Sequence, residues 1–316
     1  MKNMRCAIID LASGQSGIVD LGEWELATGN FGWGVHSYNE KCRQRDISFV
    51  ALSTGILTGT GVPGSGGVAW CNYQSNAKMF YPAEGRLGAA LRYAGIDHLA
   101  ITGKAPTGQK ADITIRDGKI SISYARASRT ESAAKAYSQV WKRRPTEDSV
   151  IAIPAPSGIL EDNWFFISDK MTSSLLRNMG LRSLTVSYSG GLQIADPETF
   201  CALAAQLWQT RRDLPVVSDA EHPVRYLSVM PGCTAADSSA WPARARLKSG
   251  VLEKQMLTAL GLYWGQYAET LGGLDMAAKL LSACSGDTVT VDDLRQSALA
   301  LNRALTQRKE RVYEQL

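Results

Sequence analysis

The chain has 316 residues, of which 45% are apolar and 20% charged, and a net charge of +4. That is an ordinary globular composition with length enough for a sizeable core. The basic excess is small and dispersed, which argues against nucleic acid or an anionic membrane as a ligand. No apolar run reaches the roughly eighteen residues of a membrane span. The opening MKNMRCAIIDL lacks the apolar region and cleavage site of a signal peptide, so a cytoplasmic location is expected. There the six cysteines would be reduced. None forms a C-x-x-C pair, and buried structural thiols are the simplest reading.

In chain order, residues 5–20 alternate around Ile8 and Leu11 and read as two strands joined by a turn at Ser13–Gly14. The apolar run 47–57 suits a buried strand. It leads into the stretch from Gly55 to Lys104, around which the functional reading turns. Leu87, Leu91 and Ala94 line one face of a helix over about 84–93, closed by Gly95. His98–Thr102 is a further strand. Asp117–Gly118 is the most specific turn signal in the chain and predicts a hairpin between 112–115 and 119–123. A polar helix over 131–142 and buried strands at 150–154 and 184–187 complete the first part.

The character changes at Asp196, where Asp-Pro-Glu supplies an N-cap, a proline at the first helical position and an acidic first turn. The helix so opened runs to about Arg212. Residues 214–250 read as a long connection, and everything from Val251 on reads as helical. There Thr290 and Asp293 have capping-box spacing, and Leu294, Ala298, Leu301 and Leu305 form one apolar stripe. The expectation is an α+β fold with a strand-rich domain over 1–195 and an all-helical part over 196–316.

Several motifs fail on inspection. Gly59-Thr-Gly61-Val-Pro-Gly64 is a literal G-x-G-x-x-G, but Pro63 and Ser65-Gly66-Gly67 do not open the helix that a dinucleotide site needs. A tight glycine turn that lets backbones approach closely explains it better. Gly103-Lys104-Ala105 lacks the P-loop spacing, and no serine sits in G-x-S-x-G. His36, His98 and His222 are scattered rather than spaced as metal ligands. Trp141-Lys-Arg-Arg144 reads as a solvated helix terminus.

Leu57-Thr-Gly-Thr-Gly-Val-Pro63, Gly88-Ala89 with Leu91, Ala94-Gly95-Ile96-Asp97 and Ile101-Thr-Gly-Lys-Ala105 share order and spacing with one family. Ile9 to Gly14, the Asp117–Gly118 hairpin, Met179-Gly180-Leu181-Arg182 and Asp196-Pro to Phe200 extend the match over about 5–200. The chain resembles the first domain of the tungsten- or molybdenum-dependent aldehyde:ferredoxin oxidoreductases. Leu260-Gly-Leu262, Ala277 to Leu281, Gly286 and Thr290 through Arg303 are similar to that family's closing helices. The pattern is that of a relative with most of its two helical domains shortened.

The resemblance implies a two-sheet saddle seating a tungsto- or molybdo-bis-pyranopterin. Its cofactor-binding positions map to Trp33, Gly59, Gly61, Gly64, Gly66, Gly67, Arg86, Arg92 and Arg177; no catalytic residue and no metal ligand is assigned. Trp33 stands where the family has an arginine in a Gly-Arg-Gly turn. Gly67, Val68 and Ala69 stand where it has Gly-Arg-Tyr-Asn, and Ser173 to Gly180 replaces a Gly-Arg-Gly-Gly segment. The family's 4Fe-4S cluster needs four thiolates. Here Cys233 matches one of them, and Tyr263 follows the Gly261-Leu262 pair where the family has cysteine, so no cluster is expected from this chain alone. The expected role is therefore a non-catalytic subunit that acts as scaffold or regulatory partner of another protein, such as a full-length catalytic homologue or an electron-transfer protein, or of itself. A compact oxidoreductase with a partner's cluster and a pyranopterin carrier or insertion factor are the alternatives.

Overall fold

The computed structural model of the protein describes residues 3–23, 49–74, 77–126, 131–144, 148–156, 158–162, 165–167, 170–212, 249–262 and 268–301. Trp33, His36, Cys42, His222, Cys233, Tyr263 and Leu305 lie outside them, as does the 214–248 part of the long connection.

Alternating apolar residues build the first hairpin, β1 (Asn3–Asp10) and β2 (Gln15–Glu23). Asp10 closes its turn by accepting from the Ala12 amide at 2.9 Å and the Ser13 hydroxyl at 2.8 Å. With β3 (Phe49–Thr54), β4 (Gly67–Gln74), β5 (Ala77–Glu84) and β6 (His98–Thr102) it forms a six-stranded sheet ordered β2-β1-β6-β3-β4-β5. Helix α1 (Leu87–Tyr93) makes the connection from β5 to β6. The second six-stranded sheet contains β7 (Gln109–Arg116), β8 (Lys119–Arg126), β9 (Ser149–Ala155), β10 (Gly158–Glu161), β11 (Phe165–Ile167) and β12 (Leu181–Ser187). Its order is β11-β10-β9-β12-β7-β8. Asp117 and Gly118, at φ 46 and 78, make the predicted β7–β8 turn. Helices α2 (Ala133–Trp141) and α3 (Lys170–Asn178) lie against this sheet.

Both sheets contribute to one core. Ile9, Leu52 and Leu99 from the first and Ile113, Val150 and Leu184 from the second are buried together with Leu87 and Leu91 of α1. Helices α4 (Pro197–Arg212), α5 (Ser249–Ala259), α6 (Gly273–Ser285) and α7 (291–301) follow. They form a second core around Phe200, Leu257, Leu280 and Leu294, and it includes Ile56, Leu57 and Val62 from the turn between β3 and β4. The capping box at the start of α7 is reciprocal: Asp293 donates its amide to the Thr290 hydroxyl, and its carboxylate accepts from the Thr290 amide at 2.8 Å.

The fold is therefore α+β, two sheets followed by helices. The sequence reading missed β4, β5, β10, β11 and α3. Strand β5 carries Pro82, which a sheet tolerates because β5 is the outermost strand of this sheet among the described residues. The expectation of uniformly buried thiols needs correction: Cys6 is buried and Cys284 half-buried, but Cys201 on α4 is exposed.

Candidate functional site

The glycine-rich turn between β3 and β4 does not open a helix. It is pinned by Thr58, whose hydroxyl accepts from the Gly55 amide at 2.8 Å and donates to the Gly67 carbonyl at 2.7 Å. The turn's amides point mostly at partners within the chain. Thr58 donates to Gly55 O, Gly59 to Ser65 O, Thr60 to Leu57 O, Gly61 to the Ser65 hydroxyl and Ser65 to Val62 O. Two more cross to the helical part, Leu57 N to Leu260 O at 2.8 Å and Gly67 N to Gly261 O at 3.2 Å. The glycines permit this approach. A Cβ on Gly55 would collide with the peptide between Leu260 and Gly261, and one on Gly67 would lie 2.7 Å from Gly261 O. Gly261 itself has φ +90, and a Cβ there would run into the Thr58 hydroxyl. Trp208 of α4 closes the tip, donating from Nε1 to Gly61 O at 2.9 Å.

Helix α1 supports the turn from behind. Arg92 donates from Nη1 to Ile56 O at 2.5 Å and Thr58 O at 2.8 Å, and its Nε lies 3.5 Å from Asp97. Its side chain is only 9% exposed. Burial pulls the guanidinium below its usual range, and Asp97 pulls it back up. The Tyr93 hydroxyl donates to Gly59 O. Gly88 fits under Val68, with no room for a Cβ.

The other end of α1 meets β10. Glu161 is fully buried and its Oε1 accepts the amides of Arg86 and of Leu87, the latter at 3.1 Å. Its Oε2 is buried against Gly85, without a hydrogen-bond partner among the described residues. Burial pushes its carboxyl up to about 7; the Arg86 and Leu87 amides oppose the shift and Asp162 adds to it. Asp162 sits at φ 47, accepting the Ile151 amide at 2.9 Å and the Arg86 guanidinium at 3.0 Å.

Of the positions expected from sequence, the structure brings Gly59, Gly61, Gly64, Gly66, Gly67 and Arg92 together at the turn. Arg86 lies at the opposite end of α1 with a 59% exposed side chain facing Asp162, and Arg177 is exposed in the last turn of α3. The reading missed Thr58, Tyr93, Glu161 and Asp162. Thr58 lies inside the quoted glycine motif, whereas a lone Glu-Asp pair carries no pattern that marks it.

Residues 6–158 match the family described as the aldehyde ferredoxin oxidoreductase N-terminal domain. No curated protein matches the chain. Among solved structures the chain is similar to the active site complex BamBC of benzoyl coenzyme A reductase in complex with 1,5-dienoyl-CoA. That likeness has a TM-score of 0.57 at 18% identity and covers 69% of this chain and 37% of that one. It is a likeness of fold, and the chain spans little more than a third of that relative. The N-terminal domain thus resembles the aldehyde ferredoxin oxidoreductase N-terminal fold.

The described residues do not fit a bis-pyranopterin held in the family's manner. Phosphates need free amides or arginine forks, yet the turn's amides are mostly used within the chain and the Arg92 guanidinium serves backbone carbonyls and Asp97. Among the described residues no group of three His, Cys, Asp or Glu is placed to hold a metal ion.

Proposed function

We propose that the protein is a non-catalytic relative of the aldehyde:ferredoxin oxidoreductases, a scaffold or regulatory subunit whose partner is another protein, with a full-length homologue the first candidate. One observation supports this reading above others: the glycine turn receives the backbone of Leu260 and Gly261. Amides that could meet a phosphate instead join the two sheets of the 1–195 part to the helices of the 196–316 part.

The test is purification of natively expressed protein, with elemental analysis for tungsten, molybdenum and iron and identification of co-purifying chains. Substoichiometric metal with one reproducible partner chain is the expected outcome. Stoichiometric tungsten or molybdenum would overturn the reading in favour of the compact oxidoreductase, and a partnerless monomer would remove the scaffold role.

A further inference from the structure

A buried carboxyl whose one oxygen accepts two backbone amides, and whose other has no hydrogen-bond partner among the described residues, has two very different states. Neutral, Glu161 caps the first turn of α1 through Oε1 and leaves little charge to solvate. Ionised, it carries a charge whose Oε2 share no donor among the described residues compensates, in a position packed against Gly85. The charged and titratable groups around it are few. On its own strand end there is Asp162, and at the start of α1 there is Arg86, already held by Asp162. From α2 Tyr137 faces Asp162 and Arg86, and Arg144, just beyond that helix, faces Asp162. The neighbouring strand positions, Ala152 on β9 and Phe165 on β11, bring no charge, and α3 ends in an exposed Arg177. Among the described residues no group is hydrogen-bonded to Oε2, and the Arg86 guanidinium, which favours the ionised form, is held by Asp162.

The helix that Glu161 caps is the one whose far end grips the glycine turn through Arg92 and Tyr93. Gly85 extends the link, since its amide donates to Gly66 O at 3.2 Å. We propose that Glu161 is a buried protonation site that latches α1 and the glycine turn onto the second sheet when neutral and loosens them when ionised. Because the same turn receives Leu260 and Gly261, the proton acts on the joint between the sheets and the helices. This holds whatever the partner is and does not rest on the subunit reading.

The test is hydrogen exchange of the full chain across about pH 6 to pH 8.5, corrected for intrinsic chemistry, in the wild type and in Glu161→Gln. In the wild type the Arg86 and Leu87 amides and those of Gly59 and Gly67 should lose protection by about ten-fold over this range. The amides of the β7–β8 hairpin serve as the internal control. Glu161→Gln, permanently neutral, should keep protection flat. Equal pH slopes in both proteins would overturn the proposal. Should the variant fail to fold, the infrared signature of a neutral carboxyl decides in the wild type. Its persistence to about pH 6, where ordinary glutamates are ionised, supports the latch, and its absence overturns it.

Discussion

The two ends of α1 solve opposite problems. At its C-terminal end a buried arginine is matched by two carbonyls and a carboxylate, and the glycine turn is locked from both sides. At its N-terminal end a buried carboxylate is matched on one oxygen only, and the nearest guanidinium is turned to its neighbour Asp162. The first end is built for rigidity. The second leaves a charge state undecided near neutrality, so the same short helix is firm where it meets the turn and adjustable where it meets the second sheet.

Breaking the firm end should cost most. Arg92→Met leaves Asp97, Ile56 O and Thr58 O without their partner and should destabilise by about 3–5 kcal/mol in urea unfolding. Gly261→Ala adds left-handed strain to a collision with Thr58 and should cost about 3 kcal/mol. It should also expose the α5–α6 connection to proteolysis before the sheets.

The adjustable end should appear in pH dependence, with a sign opposite to that of an ordinary buried ion pair. The folded state raises Glu161 from its ordinary 4.5 to about 7. Its contribution is therefore fully present below about 4.5 and is lost as pH rises through about 7, on the order of 3 kcal/mol in all. The Glu131–Arg182 pair is the contrast. Arg182 holds Glu131 below its ordinary range, so that contribution is present above the unfolded value and is lost as pH falls through the folded one. Urea midpoints in wild type and Glu161→Gln, measured at acid, neutral and mildly alkaline pH, separate the two. Arg86→Ala, whose side chain is largely exposed, should cost about 1 kcal/mol or less. It should also move the Glu161 transition further upward, because a nearby cation that favours ionisation is gone.

Much of the fold could be read from local pattern. The β1–β2 alternation, the Asp117–Gly118 turn, the Asp196 cap and the Thr290–Asp293 box are each written within a few residues, and each forms. Strands β4 and β5 were not legible, because their large apolar residues, Trp70, Met79, Phe80 and Tyr81, follow no sustained alternation, Pro82 interrupts β5, and β4 forms by pairing with β3 and β5 by pairing with β4. The glycine turn was legible as a place of close backbone approach, but not the identity of what approaches. That partner lies nearly two hundred residues downstream, and it contributes peptide groups as well as the buried side chains of Leu260 and Leu262. Glu161 was invisible for a related reason: its significance lies in what fails to face its second oxygen.

That distance has a consequence for biosynthesis. Gly67 leaves the ribosome long before Gly261, and at roughly 5–20 residues per second the interval is about 10–40 s. Throughout it Leu57 N and Gly67 N lack their eventual acceptors; of the helices that cover Ile56, Leu57 and Val62, α4 is made late in that interval and α6 and α7 only after it. The nascent first part therefore presents a sticky glycine-lined notch that the helices after residue 196 fill later. A stalled or prematurely terminated translation product should draw chaperones to that notch.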